Sequence, residues 1–448
     1  MINYRIYFEV KFMEMNLNSL FNKAKDENNI PNELYQKYGV KKGLRNEDGT
    51  GVLIGLTRIA DVVGYQRDEN NNKIDIYGQL YYRDYEINDL IKILEEYPDS
   101  MYERCCFLIL FNHLPSDEEF QCFTAYLKKQ YHLPADFMVT NILKQPSINV
   151  MNKIQRALLM LYSEDENADD TSALNTMYQG LSIMAKLSAI IVYSYYAKIH
   201  ILENKSLVIH PINDNLSIAQ SFLSLLKSDQ QFTKEEERIL DLLLVLHADH
   251  GSGNNSTFTN LVVSSTGTDI YSSFVASIGS LKGPRHGGAN ISCFHMMQQV
   301  IKETGFNASD DDINKIIIRL LNNDFYDHSG LIYGFGHAVY TLSDPRCEIL
   351  KKQAYSLAIS KNRKDEFEFY LRFEKLVKAY FSTNKHRNIC ANIDFYSGLV
   401  YDMMNIPEDL FSPLFVLSRS IGWLAHNIED KLYCNRIIRP AGKFIKGE

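Results

Sequence analysis

Proline is scarce in this chain, 11 among 448 residues. Proline breaks helix interiors by removing an amide donor and clashing with the preceding turn, so its scarcity points to a helical protein. Cysteine is sparse too. The seven thiols are an odd number, scattered without a CxxC or CxxxC pair, and Cys105 and Cys106 are direct neighbours. That pattern excludes a disulfide framework or a zinc ribbon and predicts a cytoplasmic protein with reduced thiols. A basic surplus is also missing. Lys and Arg number 47 against 55 Asp and Glu, a formal net charge of −8, which gives no general footprint for a nucleic-acid backbone. The stretch Leu181–Leu202 is apolar but broken by Ser182, Lys186, Ser188, Ser194 and Lys198, and is expected as a buried helix rather than a bilayer span. Arg5, Glu9, Lys11 and Glu14 punctuate the first apolar residues, which a signal-peptide core does not tolerate. Neither nucleic acid nor membrane is expected as a partner.

What is present fits a globular chain: 45% hydrophobic and 23% charged residues suffice for substantial cores, in two large domains or about three of ~150 residues. Residues 1–50 are polar and irregular. Residues 52–90 hold short strand-like pieces around the turn signal Asp68–Lys73. Beyond them the chain reads as helices. Ser116 with Glu119, Thr233 with Glu236 and Ser309 with Asp312 have capping-box spacing before apolar stripes. Ser412 followed by Pro413 is expected to cap a further helix that runs to about Leu432. Gly and Ser become dense between about 250 and 292, and 343–385 is charged and helical between two Gly-punctuated segments. An inserted domain is the natural reading of that layout.

Four polar constellations stand out. In Leu246-His-Ala-Asp-His-Gly251, His247 and His250 are three apart, as if sharing one face of the helix that begins near Thr233. Satisfied core histidines, substrate contact and metal ligation are all open to them. In Gly283-Pro-Arg-His-Gly-Gly-Ala-Asn290, His286 precedes apolar residues at helical spacing. The positive end of that helix favours a neutral ring able to donate to a carbonyl oxygen. Tyr333-Gly-Phe-Gly-His-Ala-Val-Tyr340, followed by Asp344-Pro-Arg346, lacks the third glycine of a dinucleotide fingerprint. An ordinary glycine turn and a backbone facing a flat ring or phosphate both remain open. In Asn392-Ile-Asp-Phe-Tyr-Ser-Gly398, Asp394 is a lone carboxylate among apolar residues. It is either a helix cap or a base strengthened by desolvation.

Taken in order, GPRHGGAN, GFGHAVY with DPR, and NIDFYSG resemble the three signature blocks of the citrate synthase family. LHADHGSGNNSTF resembles its oxaloacetate-side segment, and Ser418-Arg419 and Ile438-Arg439-Pro440 its C-terminal arginine blocks. The resemblance runs from about 52 to 444. It implies a mainly α two-domain fold with minor β near the N-terminus: an N-terminal arm (1–50), a large helical domain (51–282 and 396–448) and an inserted small domain (283–395). It implies condensation of acetyl-CoA with oxaloacetate and water to citrate and CoA, entry to the tricarboxylic acid cycle, by a homodimer with shared active sites and with no metal or other cofactor. Residue by residue, His286, His337 and Asp394 match the catalytic groups: the thioester-oxygen donor, the ketone-oxygen donor and the methyl-proton base. His250, Arg346, Arg419 and Arg439 match substrate ligands, Arg439 serving the partner subunit. Leu331, Tyr333, Gly334, Phe335 and Gly336 are the implied CoA contacts. Thr341 stands where some members place a phosphate-binding arginine, so Lys351, beside Lys352, is the candidate instead. Three further departures are Asp84 for an expected Gly, Ala441 for a second Arg and Phe444 for a common Tyr. The rival readings are a 2-methylcitrate synthase using propionyl-CoA, a catalytically silent helical dimer, and a metallohydrolase built on His247 and His250.

Overall fold

The computed structural model describes residues 17–25, 28–434 and 436–445. The punctuated N-terminal residues Arg5, Glu9, Lys11 and Glu14 lie outside them. The chain forms two compact units, Met1–Ile54 with Pro440–Glu448, and Gly55–Arg439. The first holds a short helix, Glu33–Lys37, and a turn in which Asp48 accepts from the amide and hydroxyl of Thr50.

The second unit carries the helical body. Helix accounts for 58% of the structure and strand for 6%, as the low proline content predicts. The strand-like pieces form one antiparallel sheet of Ala60–Arg67, Lys73–Tyr82 and Tyr85–Glu86, with Asp68 accepting from the Asn70 and Asn72 amides in the expected turn. The boxes at Ser116 and Thr233 form in full: each hydroxyl accepts from the third helical amide and each Glu reaches back to the cap. Ser309 caps through the Asp312 amide. The apolar stretch is the core of a 31-residue helix, Ala173–Glu203, in which Leu187, Ile190, Ile191 and Val192 are fully buried. It is long and apolar enough to cross a membrane, but 89% of its most apolar window is covered by protein.

Two expectations need correction. The helix expected to start at Ser412-Pro413 spans Phe411–Glu429. A 3-10 turn, Glu408–Leu410, runs straight into it, and Pro413 is tolerated because first-turn amides have no intrahelical partner. Ser412 therefore does not cap; its hydroxyl donates to the Gly287 carbonyl at 2.9 Å. The other concerns His250. The helix Lys234–His247 ends at His247, so His250 lies beyond its end and shares no helical face with His247.

Candidate active site

The loop Gly283–Gly288 leads into the helix Ala289–Thr304. His286 sits in that loop, its amide donating to Gly283 O at 2.9 Å, and the Ser412–Gly287 contact ties the loop to the helix Phe411–Glu429. The ring is half-buried, and its buried Nε2 has no protein partner. Burial, then the Arg419 charge, pulls its pKa down to about 4. A ring held that low is neutral at neutral pH, with burial and the neighbouring guanidinium as the causes.

The third and fourth constellations are joined. Phe335 and Ala391 form an antiparallel bridge; the Gly336 amide donates to Cys390 O at 3.0 Å and the Asn392 amide to Gly334 O at 2.9 Å. Gly334 makes this possible. Its φ is +81°, and a Cβ there would lie 2.7 Å from Cys293 Sγ and 2.9 Å from Phe395 Cβ. The bridge holds His337 and Asp394 on adjacent segments. His337 Nδ1 accepts from the Val339 and Tyr340 amides, both at 3.0 Å. A neutral ring with Nδ1 as acceptor must carry its proton on Nε2. The ring stacks on Tyr340 at 4.5 Å and meets His250 edge-on at 5.0 Å.

Asp344 caps the helix Pro345–Ser360 and accepts a two-pronged fork from Arg346, Nε at 3.0 Å and Nη2 at 2.7 Å. Both are buried. Burial pushes Asp344 up, but Arg346 outweighs it and holds the carboxyl below its ordinary value. Asp344 also accepts from the Ile393 amide at 3.3 Å, one residue before Asp394. Asp394 is the first residue of the helix Asp394–Met403 rather than its cap. Burial pushes it up to about 6, against the opposing charges of Arg346 and Arg419.

Arg419, on the helix Phe411–Glu429, is buried and donates from Nε to His247 O at 2.6 Å. Burial pulls it down to about 10, still charged at neutral pH. Gly422 on the same helix lets the chain after His247 come close, since a Cβ there would lie 2.4 Å from Asp249 Oδ1. Burial, with Arg346 and Arg419, pulls His247 and His250 well below the usual histidine range. Each keeps a buried Nε2 without a protein partner. The structure thus brings together neutral histidines, two guanidiniums and one carboxyl of raised pKa. Neutral donors and fixed cations held in place favour negative charge developing on a carbonyl oxygen.

Beside His337 is a cleft of about 340 Å³ lined by Leu331, Phe335, Gly336, Thr341 and Arg387, among others. Arg387 was missed from the sequence. It is exposed, stacked 5.0 Å from the Phe381 ring, and only the folding-over of 387–389 brings it beside Thr341. Tyr333 and Gly334 do not line this cleft; the Tyr333 hydroxyl donates to Asp327 at 2.6 Å. Lys351 lies elsewhere, paired with Glu348 at 2.8 Å and Glu374 at 3.2 Å. Arg439 is exposed, on a segment held by donation of the Ile438 amide to Ser265 Oγ. Among the described residues, no three His, Cys, Asp or Glu side chains gather as metal ligands.

The family model for the citrate synthase C-terminal domain matches residues 48–441. The citrate synthase of Saccharolobus solfataricus is 31% identical over 91% of this chain and 97% of its own length. A 2-methylcitrate synthase of Corynebacterium glutamicum is 29% identical over 90% and 95%. Among solved structures, the ternary complex of the Thermoplasma acidophilum citrate synthase with carboxymethyl coenzyme A and oxaloacetate aligns with a TM-score of 0.71 at 26% identity. It covers 91% of this chain and 96% of that one.

Proposed function

The chain belongs to the citrate synthase family of acyltransferases, and from that premise we propose that it condenses acetyl-CoA with oxaloacetate and water to give citrate and CoA. The observation that carries this reading is that the Phe335–Ala391 bridge joins the segments bearing His337 and Asp394, with Arg346 and Arg419 acting on the Asp394 carboxyl. A thioester methyl proton is very weakly acidic, so a base needs donors aimed at the developing enolate oxygen. Asp394 takes the proton while neutral His286 donates to the thioester oxygen. The enol carbon then attacks the ketone carbon of oxaloacetate, forming the new C–C bond. His337, protonated on Nε2, delivers its proton to the ketone oxygen as that oxygen becomes a hydroxyl. Water then cleaves the thioester, leaving a carboxylate and the CoA thiol. Arg346 and Arg419 suit the two carboxylates of oxaloacetate, because guanidinium forks match carboxylate geometry. Arg387 at the mouth of the cleft suits a CoA phosphate. Residues 283–395 act as a small domain over the substrates, and Arg439 reaches the substrate of a second copy in a homodimer.

Propionyl-CoA, giving 2-methylcitrate, is the second reading. It is favoured by the near-equal identity to a 2-methylcitrate synthase, and one methylene is worth only ~1–3 kcal/mol of discrimination. Thiol release from acetyl-CoA and from propionyl-CoA, each with and without oxaloacetate, separates the two. Oxaloacetate-dependent release faster with acetyl-CoA supports the first reading, and the reverse order supports the second. Absence of release from either sinks both. For the shared site, Arg439→Ala mixed with Asp394→Ala should regain activity after subunit exchange, because one site of each heterodimer is then intact. Flat activity despite exchange shown by mass spectrometry overturns it.

A further inference from the structure

Behind the site lies a buried polar cluster with no part in the chemistry above. Glu374, on the helix Lys364–Lys385, is 4% exposed and takes three partners. Lys351 of the helix Pro345–Ser360 lies 3.2 Å away, Lys378 pairs from the same helix, and the fully buried Tyr396 donates its hydroxyl at 2.6 Å. Tyr396 is two residues after Asp394, and residues two apart on a helix point to different sides. The hydroxyl therefore pins the rear of the helix whose front carries Asp394. Lys351 is five residues after Arg346 on the other helix. One carboxylate thus ties together, from behind, the two helices whose first turns carry Arg346 and Asp394. Their front ends are already joined where Asp344 accepts from the Ile393 amide. Phe367, 5.5 Å from the Tyr396 ring, closes the cluster against the core.

We propose that Tyr396 and Glu374 are positioning residues that hold the Asp394 carboxyl in register with the Arg346 fork. The inference rests on the reading of Asp394 as the base. Displacing a reacting group by about an ångström costs on the order of a hundredfold in rate. Losing one of two clamps should therefore act on turnover and leave the Arg346–Asp344 fork, and with it oxaloacetate binding, in place.

Tyr396→Phe removes only the hydroxyl, and Glu374 keeps both lysines. The measurement is kcat and the KM for each substrate in the full-length protein, with folded fraction and melting temperature read in parallel. The expected result is kcat lowered about 10- to 100-fold, with both KM values within about threefold of wild type. A merely structural role would lower the melting temperature and leave kcat per folded site unchanged, and that result overturns the proposal. Should Tyr396→Phe not fold, Glu374→Gln supplies the same reading from the other partner. Adding Tyr396→Phe to Asp394→Asn should change the residual rate by less than about twofold, because the clamp acts through the base; a full additive loss also overturns it. Wild-type turnover by Asp394→Asn alone would sink the base assignment. A dead Asp394→Asn with a fully active Tyr396→Phe sinks only the clamp.

Discussion

The helices Pro345–Ser360 and Asp394–Met403 each carry an aspartate at their start, Asp344 as the cap of one and Asp394 as the first residue of the other, and the two carboxyls are driven in opposite directions. Asp344 receives a guanidinium outright, in a two-pronged fork from Arg346, and is held below its ordinary range. Asp394 senses the charge of the same guanidinium from outside that fork, and burial lifts it to about 6. Residue type and helix position are nearly shared, so the partner decides the role. In the proposed function, the carboxylate given a dedicated cation is a fixed counter-ion beside the substrate pocket. The one denied it is the proposed base, matched to neutral pH.

The largest expected effect falls on the second aspartate. Asp394→Ala should lower kcat by roughly a thousandfold, with oxaloacetate affinity by calorimetry unchanged, because the proposed base acts only on the methyl group. Near-wild-type turnover would break the comparison at its centre. Arg346→Ala comes next: it removes the fork, leaves Asp344 buried without a cation, and should weaken oxaloacetate binding by about 2–5 kcal/mol. Unchanged affinity would place Arg346 outside the pocket.

Stability should separate the two aspartates by sign. Unfolded, both titrate near ~4. Asp394, raised to about 6, contributes stability that is present below the unfolded value and lost as pH rises through the folded one. Asp394→Asn should therefore stabilise the protein at about pH 8, by roughly 1–2 kcal/mol, with the gain fading below about pH 4. Asp344, depressed by Arg346, contributes stability that is present above the unfolded value and lost as pH falls through the folded one. Asp344→Asn should destabilise at about pH 8 and do so less in acid. Melting curves across pH for both variants check this, and equal signs would erase the contrast. The smallest effect belongs to the cleft: Arg387→Ala, an exposed cation, should raise the KM for the CoA ester by about two- to fivefold and leave oxaloacetate affinity alone.

Local features were the most legible in the sequence. The caps at Ser116, Thr233 and Ser309 depend on residues three apart, and the four blocks carrying His286, His337, Asp394 and His250 are contiguous. Ser412-Pro413 misled because a proline in the first helical turn looks the same whether the helix starts there or two residues earlier. His250 was placed on a helix that ends three residues before it. Arg387 carried no signal, being one cation in a charged stretch until the chain folds it beside Thr341. The Asp344 fork, and the reach of Glu374 to Tyr396 across 22 positions, exist only in the packed protein.

The central claim is that a carboxyl raised by burial is the group that must be ionised for condensation. Its most direct test is the pH dependence of kcat/KM for oxaloacetate-dependent thiol release from acetyl-CoA between about pH 5 and 8, which reports the essential groups of the free enzyme. The rate should rise with pH through an apparent pKa of about 6, and the residual rate of Asp394→Asn should lack that limb. A profile flat across this range, or the same limb surviving in Asp394→Asn, would contradict it.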